Sequence, residues 1–135
     1  MSPENPCPCG RQTAAKKPRL FSACCGPYID NFATHPAPDA ESLMRSRYSA
    51  FVLQRADYLL ATWHIGQRPA SVEFERGVKW LGLEVRLFRQ LDASHAEVEF
   101  VARQKPALGA ASRLHERSRF LLEEGRWYYV DGDLF

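Results

Sequence analysis

Four cysteines are the residues of this 135-residue chain best suited to chemistry. Cys7 and Cys9 lie in the segment CPCG, and Cys24 and Cys25 form an adjacent pair in the segment CCG. Four thiolates can close a tetrahedral shell around a zinc ion at about 2.3 Å per bond. The sequence therefore predicts one zinc site with these four residues as its ligands. Such a zinc ion is structural, because a complete thiolate shell leaves no open position for water or substrate.

A glycine follows each cysteine pair, Gly10 after Cys9 and Gly26 after Cys25. A residue without a side chain permits tight bending and a close approach of the backbone. Backbone N–H groups in such turns can then donate hydrogen bonds to sulfur, which supports a metal site. We therefore expect both pairs to lie in tight turns that surround the ion.

Other uses of the four thiols stay open from the sequence alone. The same residues fit an iron–sulfur site, two disulfides between the pairs, unpaired core thiols, or a redox sensor in which oxidation releases zinc. A disulfide between the neighbours Cys24 and Cys25 would be strained. The start of the chain has no charged region followed by an apolar stretch, so we predict no signal peptide and a cytoplasmic location. Disulfides are rare in the cytoplasm, which favours zinc.

Several segments of the chain resemble known families. CPCG at 7–10, followed by a basic stretch and ACCGPYI at 23–29, resembles the SEC-C zinc motif. The YchJ family of bacterial proteins is similar to LMRSRYSAFVLQRADYLLATWH at 43–64, KWLGLEV at 79–85 and RFLLEEGRWYYVDGD at 119–133. The resemblance implies two domains, a SEC-C-like zinc knuckle over residues 1–29 and a nuclear-transport-factor-like α+β domain over residues 30–135. In that fold, helices pack on a bent antiparallel sheet to form a cone.

The loop between the cysteine pairs departs from the SEC-C motif and bears on partners. Fourteen residues, GRQTAAKKPRLFSA, stand where the motif usually has a short Gly-Ser-Gly-Lys-Lys-type turn. They include four cations, Arg11, Lys16, Lys17 and Arg19, in a chain whose net charge is +2. A zinc ion with four thiolates is itself negative, so part of this charge compensates the site. We expect a zinc-binding interaction module whose knuckle meets a protein or RNA partner through this loop.

Two helices are predicted ahead of the strands. Asp39 precedes AESLMRSRYSAFVLQ and can cap a helix over residues 40–54. The apolar stripe of this helix consists of Leu43, Met44, Tyr48, Phe51 and Val52. A second helix is expected over residues 56–63. No stretch approaches the roughly 20 apolar residues that cross a membrane, so no membrane partner is expected.

Alternating hydrophobicity indicates four antiparallel strands from residue 79 onward. In the first strand, the residues predicted to share the core face are Leu81, Leu83, Val85 and Leu87. In the second and third strands they are Ala96, Val98 and Phe100, then Leu114, Glu116, Ser118, Phe120 and Leu122. Glu123, Glu124 and Gly125 are predicted to form a hairpin turn into the last strand. Helices first and strands afterwards favour an α+β domain.

Cone-shaped folds often enclose a pocket, so the alternative function is a small-ligand-binding protein or an enzyme. The candidate pocket residues are Arg47, Tyr48, Trp63, Glu116 and Arg119, and polar or aromatic neighbours in the pattern are Arg45, His64 and Trp80. Arg47 borders the apolar stripe and needs a partner if it is enclosed, so an ion pair with Glu116 is predicted. Strict alternation puts Arg119 on the opposite face unless a bulge intervenes. The sequence contains no complete catalytic constellation and gives no catalytic residue, which favours binding over catalysis.

Overall fold

The computed structural model describes residues 5–135, so the first four residues of the predicted knuckle lie outside the described part. A short 3-10 helix, Phe21–Ala23, and helix α1, Gly26–Asp30, follow the first cysteines. Helices α2, Ala40–Val52, and α3, Ala56–Ala61, come next. The strands are β1, Lys79–Gln90; β2, His95–Lys105; β3, Ser112–Glu123; and β4, Arg126–Leu134. No helix within residues 5–135 has the length and apolar character needed to span a bilayer.

Helix α2 begins where the sequence predicts it. The Asp39 carboxylate accepts a hydrogen bond of 2.7 Å from the backbone N–H of Ser42, which satisfies one of the free donors at the helix start. The helix ends at Val52, two residues before the predicted boundary, and Gln54 has a positive φ of 57° that breaks the helical path. Most of α2 is buried, including polar residues such as Ser46 and Arg47. Helix α2 is therefore a central element of the molecule.

The four strands form one antiparallel sheet in the order β1-β2-β3-β4. The β3 and β4 strands are joined by the predicted hairpin, in which Glu124 and Gly125 both have positive φ. The alternation predicted for β2 is confirmed, because Ala96, Val98 and Phe100 are all buried. Residues of β3 follow it as well, with Ser118 and Phe120 facing the same core. The alternation thus holds in both central strands of the sheet.

The prediction for β1 is wrong in two positions. Leu81 is 50% exposed and Leu87 is 38% exposed, although both were expected to face the core with Leu83 and Val85. Two register shifts interrupt the pairing of β1 with β2, one after Trp80 and one after Val85. Each extra residue at a bulge moves the following side chains to the other face, so simple alternation fails there.

Helices α2 and α3 pack against the sheet and close its core. Leu43 and Leu59 of these helices and Val98 of β2 are almost completely buried. After α3, which ends at Ala61 rather than Trp63, a bridge between Trp63 and Tyr129 ties the chain to β4. The predicted α+β fold, with helices packed on an antiparallel sheet and a close group of four N-terminal cysteines, is confirmed.

Candidate metal centre and central cavity

The four cysteines converge although fourteen residues separate the two pairs. An antiparallel bridge between Pro6 and Leu20 and a hydrogen bond from the backbone N–H of Cys7 to the carbonyl of Arg19 hold the two pairs side by side. Cys24 closes the 3-10 helix, and Cys25 stands at the start of α1. Short local elements thus carry each pair to the same place.

Both glycines have the role that the sequence predicts. Gly10 has a φ of +76°, a conformation that residues with a side chain rarely adopt, and its N–H donates to the carbonyl of Cys7. A Cβ atom added at Gly26 would lie 2.8 Å from the carbonyl oxygen of Phe21. The first glycine therefore permits a turn, and the second permits a close backbone approach. The N–H of Arg11 lies 3.4 Å from Cys9 Sγ and donates to it, as expected beside a metal site.

The sulfur geometry fits a single ion. All four Sγ atoms lie within 4.8 Å of one another, and Cys9 Sγ and Cys24 Sγ are 3.6 Å apart. Zinc–sulfur bonds of about 2.3 Å in a tetrahedron place the sulfurs about 3.8 Å apart. All four cysteines are at most 7% exposed and none forms a disulfide. The cluster is therefore a buried set of donors of the size that one metal ion requires.

The four thiols compete for protons when no cation is bound to them. Hydrogen bonds from the thiols of Cys24 and Cys25 lower the pKa of Cys9 to about 7. The hydrogen bond with Cys24, further neighbouring thiols and burial raise the pKa of Cys25. Some thiolates are thus favoured at the expense of others. A divalent cation favours all four thiolates together, because its charge offsets theirs.

Helix α2 forms one wall of the cysteine cluster. Ser49 Oγ lies 3.6 Å from Cys7 Sγ, and Arg45 donates a hydrogen bond of 3.1 Å to the carbonyl of Cys9. Arg11 donates to Ser42 Oγ at 2.9 Å and lies 3.8 Å from the carboxylate of Glu41. Ser42, Arg45 and Ser49 are three to four residues apart and share one face of the helix. The role of Arg45 at the cluster was not predicted, because nothing local in the sequence links it to Cys9.

Most of the fourteen-residue loop belongs to an ordered basic ribbon, which we define as residues 6–20 and which ends where the 3-10 helix begins. A second antiparallel bridge joins Gln12 and Pro18, and the turn between them is closed by hydrogen bonds between Thr13 and Lys17 and between Lys16 and Thr13. Lys16 and Lys17 are exposed at this turn. The cations are thus used differently, because Arg11 pairs with α2 while the two lysines face solvent.

A cavity of about 280 Å³ lies between α2 and the sheet. Four of the five predicted pocket residues line it, namely Arg47, Tyr48, Trp63 and Glu116, together with Trp80. Its other lining residues are Met44, Phe51, Phe100, Ala102, Leu114, Ser118, Phe120 and Tyr129. The wall is thus largely aromatic, with a few polar groups.

Arg47 is the one cation that lines this cavity within residues 5–135. Its Nη1 donates hydrogen bonds of 2.8 Å to the carbonyl of Leu59 and 2.7 Å to Thr62 Oγ1. Its guanidinium carbon lies 5.1 Å from the ring centroid of Trp63 and 4.7 Å from that of Tyr129, which are cation–π distances. Burial lowers the pKa of Arg47 to about 10, so the side chain stays charged at neutral pH.

The predicted ion pair between Arg47 and Glu116 is absent from the described structure. Glu116 Oε2 instead accepts hydrogen bonds from Ser118 Oγ and, at 3.1 Å, from the hydroxyl of Tyr129. The ring of Tyr129 thus contacts Arg47 on its face and Glu116 through its hydroxyl. Burial raises the pKa of Tyr129, so its hydroxyl remains a donor. The sequence could not predict this arrangement, because Tyr129 comes from the last strand.

Three further candidates lie outside the cavity. Arg119 faces the opposite side of the sheet, as strict alternation requires, and pairs with Asp131 at 2.6 Å and Asp133 at 2.8 Å. A register shift follows Arg119, but it does not turn this side chain inward. His64 lies near the surface, with Nε2 3.0 Å from Glu123 Oε1. Arg45 belongs to the cysteine cluster.

An α+β body of the nuclear-transport-factor-like class, preceded by four close cysteines, defines the kind of protein to which this chain is similar. A crystal structure described as a SEC-C motif containing protein from Psychrobacter arcticus matches 96% of this chain and 82% of its own, with a TM-score of 0.79 and 33% identity. The solution structure of RPA3114, a SEC-C motif containing protein from Rhodopseudomonas palustris, matches 97% of this chain and 99% of its own, with a TM-score of 0.79 and 32% identity.

Sequence comparison gives the family. The model described as YchJ, middle NTF2-like domain, matches residues 39–132. A UPF0225 protein of Polaromonas sp. strain JS666 is 72% identical over 94% of this chain and 91% of its own length. A UPF0225 protein of Bordetella pertussis strain Tohama I is 55% identical over 98% of this chain and 97% of its own length. The chain belongs to the YchJ family.

Proposed function

We propose that this protein is a zinc-binding interaction module in which the metal is structural. The observation that carries the proposal is the buried set of four sulfur atoms within 4.8 Å of one another. This spacing suits one tetrahedral ion rather than a cluster that holds several irons between the same sulfurs. Four thiolates leave no position for a substrate, so the ion would hold structure rather than catalyse.

The contacts around the cluster indicate what the metal would hold in place. Cys7 and Cys9 contact α2 through Ser49 and Arg45, and the ribbon between the cysteine pairs has its own bridges. Zinc would therefore fix the ribbon on α2 as a rigid surface, with Lys16 and Lys17 exposed at its turn. We propose this turn as the contact with a partner of complementary charge, such as an acidic protein surface or RNA.

Elemental analysis of the purified full chain tests the metal directly. We expect one zinc per chain, lost when Cys7, Cys9, Cys24 or Cys25 is changed to serine. Iron instead of zinc, or zinc retained by every variant, would overturn the assignment. The partner surface has its own test, in which the zinc-loaded protein and a Lys16→Ala/Lys17→Ala variant are compared for capture of the same partners. Identical capture by the two proteins would show that the turn of the ribbon is not the partner contact.

A second candidate function rests on the cavity. Space of about 280 Å³, an aromatic wall and a few polar groups are the features of a small-molecule site. A body filled by its own side chains would not offer this space. We therefore propose small-ligand binding between α2 and the sheet as a function separate from the metal. Titration of the zinc-loaded protein with small aromatic probes tests it, and saturable binding to the cavity is the expected result.

A further inference from the structure

Arg47 carries a buried charge that forms no direct salt bridge in the described structure, although the charge of Glu116 acts on it across the cavity. It is 7% exposed, and it forms no salt bridge with a carboxylate of residues 5–135. The Leu59 carbonyl and the Thr62 hydroxyl solvate it in part, and two aromatic rings lie against it. A buried charge is costly unless it is paired. An anion bound directly to the guanidinium would offset this cost more fully than Glu116, because Tyr129 separates Glu116 from Arg47.

The guanidinium of Arg47 also has donors to spare. Both of its hydrogen bonds come from Nη1, whereas Nε and Nη2 have no acceptor among the described residues. A guanidinium presents its N–H groups in a planar fork that matches the two oxygens of a carboxylate. Two N–H groups of one arginine match the two oxygens of one carboxylate. The free donors therefore favour a monocarboxylate.

The rest of the cavity defines the body of the ligand. Phe51, Trp80, Phe100 and Phe120 contribute aromatic surface, which favours an apolar ring over a flexible polar chain. An engineered cavity of about 150 Å³ in another protein holds one benzene molecule. The cavity here, at about 280 Å³, has room for a ring with a short side chain.

Glu116 supplies a second polar point in the same cavity. Its Oε2 accepts both hydrogen bonds that the carboxylate makes, and Oε1 has no donor within the described residues. Tyr129 lies between Arg47 and Glu116, so the two groups meet different parts of a ligand. A carboxylate beside Glu116 would be repelled, whereas a hydroxyl or amine can donate to it.

From these contacts we infer that the cavity binds a small aromatic carboxylate that also carries a hydroxyl or amine donor. The carboxylate pairs with Nε and Nη2 of Arg47, the ring lies among the aromatic side chains, and the donor meets Oε1 of Glu116. This inference rests on small-ligand binding, the second candidate function, and gives it a substrate class. It is independent of the metal and of the basic ribbon.

The test uses the zinc-loaded full chain and three probes. Para-hydroxyphenylacetate has the complete set of groups, para-hydroxyphenylacetamide removes only the charge, and phenylacetate removes only the donor. Calorimetric titration at fixed pH and salt gives the three dissociation constants. We expect the first probe to bind about tenfold or more tightly than the amide, because a hydrogen bond to a charged group is strong in a buried site. Loss of the hydroxyl should cost less.

Variants assign the binding to the named residues. Arg47→Met keeps an unbranched apolar stem but removes the charge and the N–H donors, so it should abolish the preference for the carboxylate over the amide. Arg119→Met removes an arginine outside the cavity and is the matched control. Glu116→Gln should reduce the difference between para-hydroxyphenylacetate and phenylacetate. If Arg47→Met does not fold, the comparison of carboxylate and amide on the unchanged chain still decides the inference.

Tryptophan indole N–H signals in NMR spectra show where the probes bind. Trp63 and Trp80 line the cavity, whereas Trp127 is buried elsewhere. Shifts of the first two signals with Trp127 unchanged support the inference. Equal affinity for carboxylate and amide would overturn the ligand class while leaving a small-molecule site. Absence of binding by all three probes, or binding that leaves the Trp63 and Trp80 signals unchanged, would overturn both.

Discussion

The cysteine cluster and the central cavity lie on two faces of the same helix, and they differ in how their polar groups are used. In the cluster, the four sulfurs converge on each other, and the surrounding donors contact a sulfur, a carbonyl or a hydroxyl. In the cavity, only one terminal atom of Arg47 and one of Glu116 form hydrogen bonds, and their other polar atoms have no partner among residues 5–135. A cluster whose polar groups contact one another suits a structural ion. A cavity whose polar groups keep free hydrogen-bonding atoms suits a ligand that binds and leaves.

Removal of one cysteine is expected to have the largest effect on this comparison. Cys9→Ser should abolish stoichiometric zinc and lower the free energy of unfolding by at least about 4 kcal/mol, the contribution of a ligand present at about 1,000 times its dissociation constant. Elemental analysis and denaturant unfolding measure the two effects. Ser22→Ala, at an exposed position between the cysteine pairs, is the control. Full stability without zinc would show that the cluster does not support the fold.

A substitution that creates a new void in the hydrophobic core of the α+β body should destabilise the protein without loss of metal. Leu59 of α3 is completely buried, so Leu59→Ala removes packed methyl groups and should cost about 2–5 kcal/mol. Because Leu59 belongs to the body rather than the cluster, we expect one zinc per chain to remain at temperatures below unfolding. Zinc loss from the folded variant would contradict the separation of the two sites.

The hydroxyl of Ser49 provides a test of the boundary between the two regions. Ser49→Ala removes the group 3.6 Å from Cys7 Sγ and should raise the zinc dissociation constant about tenfold, the usual effect of losing a group that supports a metal ligand. Competition with a chelator measures this constant. Ligand titration of the same variant should be unchanged, since Ser49 does not line the cavity. An unaltered zinc affinity would show that the contact is incidental.

The smallest effect is expected on the outer face of the sheet. Arg119→Ala breaks two ion pairs, with Asp131 and Asp133, whose side chains are about half exposed. Exposed pairs contribute about 0–1 kcal/mol each, and a middle value of about 0.5 kcal/mol for each of the two pairs gives an expected fall in the free energy of unfolding of about 1 kcal/mol. Denaturant unfolding and probe titration check it. A large loss of ligand affinity would show that Arg119 contributes to ligand binding, contrary to its position on the opposite side of the sheet.

Local chemistry decided how much the sequence could predict. Asp39 at a helix start and the buried alternation of Val98 and Phe100 depend on neighbours in the chain, so the predictions were confirmed. The inward orientation of Leu81 and Leu87 was wrong, because bulges arise from pairing between strands and leave no clear mark on one strand.

The two candidate sites show the same division between local and distant contacts. All four cysteines lie in short turns that contain their own glycines, so their convergence was expected from the segment itself. The cavity depends on residues from α2, β3 and β4 that meet only in the folded chain. The sequence predicted a direct contact between Arg47 and Glu116. In the structure, Tyr129 lies between them and contacts both.

Helix α2 also bears on how freely this sequence can vary. Ser42, Arg45 and Ser49 contact the cysteine region, and Met44, Arg47, Tyr48 and Phe51 line the cavity. The remaining buried positions are those of Ala40, Leu43, Ser46 and Ala50, so few residues of the helix are without a structural role. In a library of all single substitutions, we expect α2 to accept fewer changes than the exposed turn of the basic ribbon. A substitution in α2 that changes the cysteine cluster can then persist only if the cavity remains intact, and the reverse is also true.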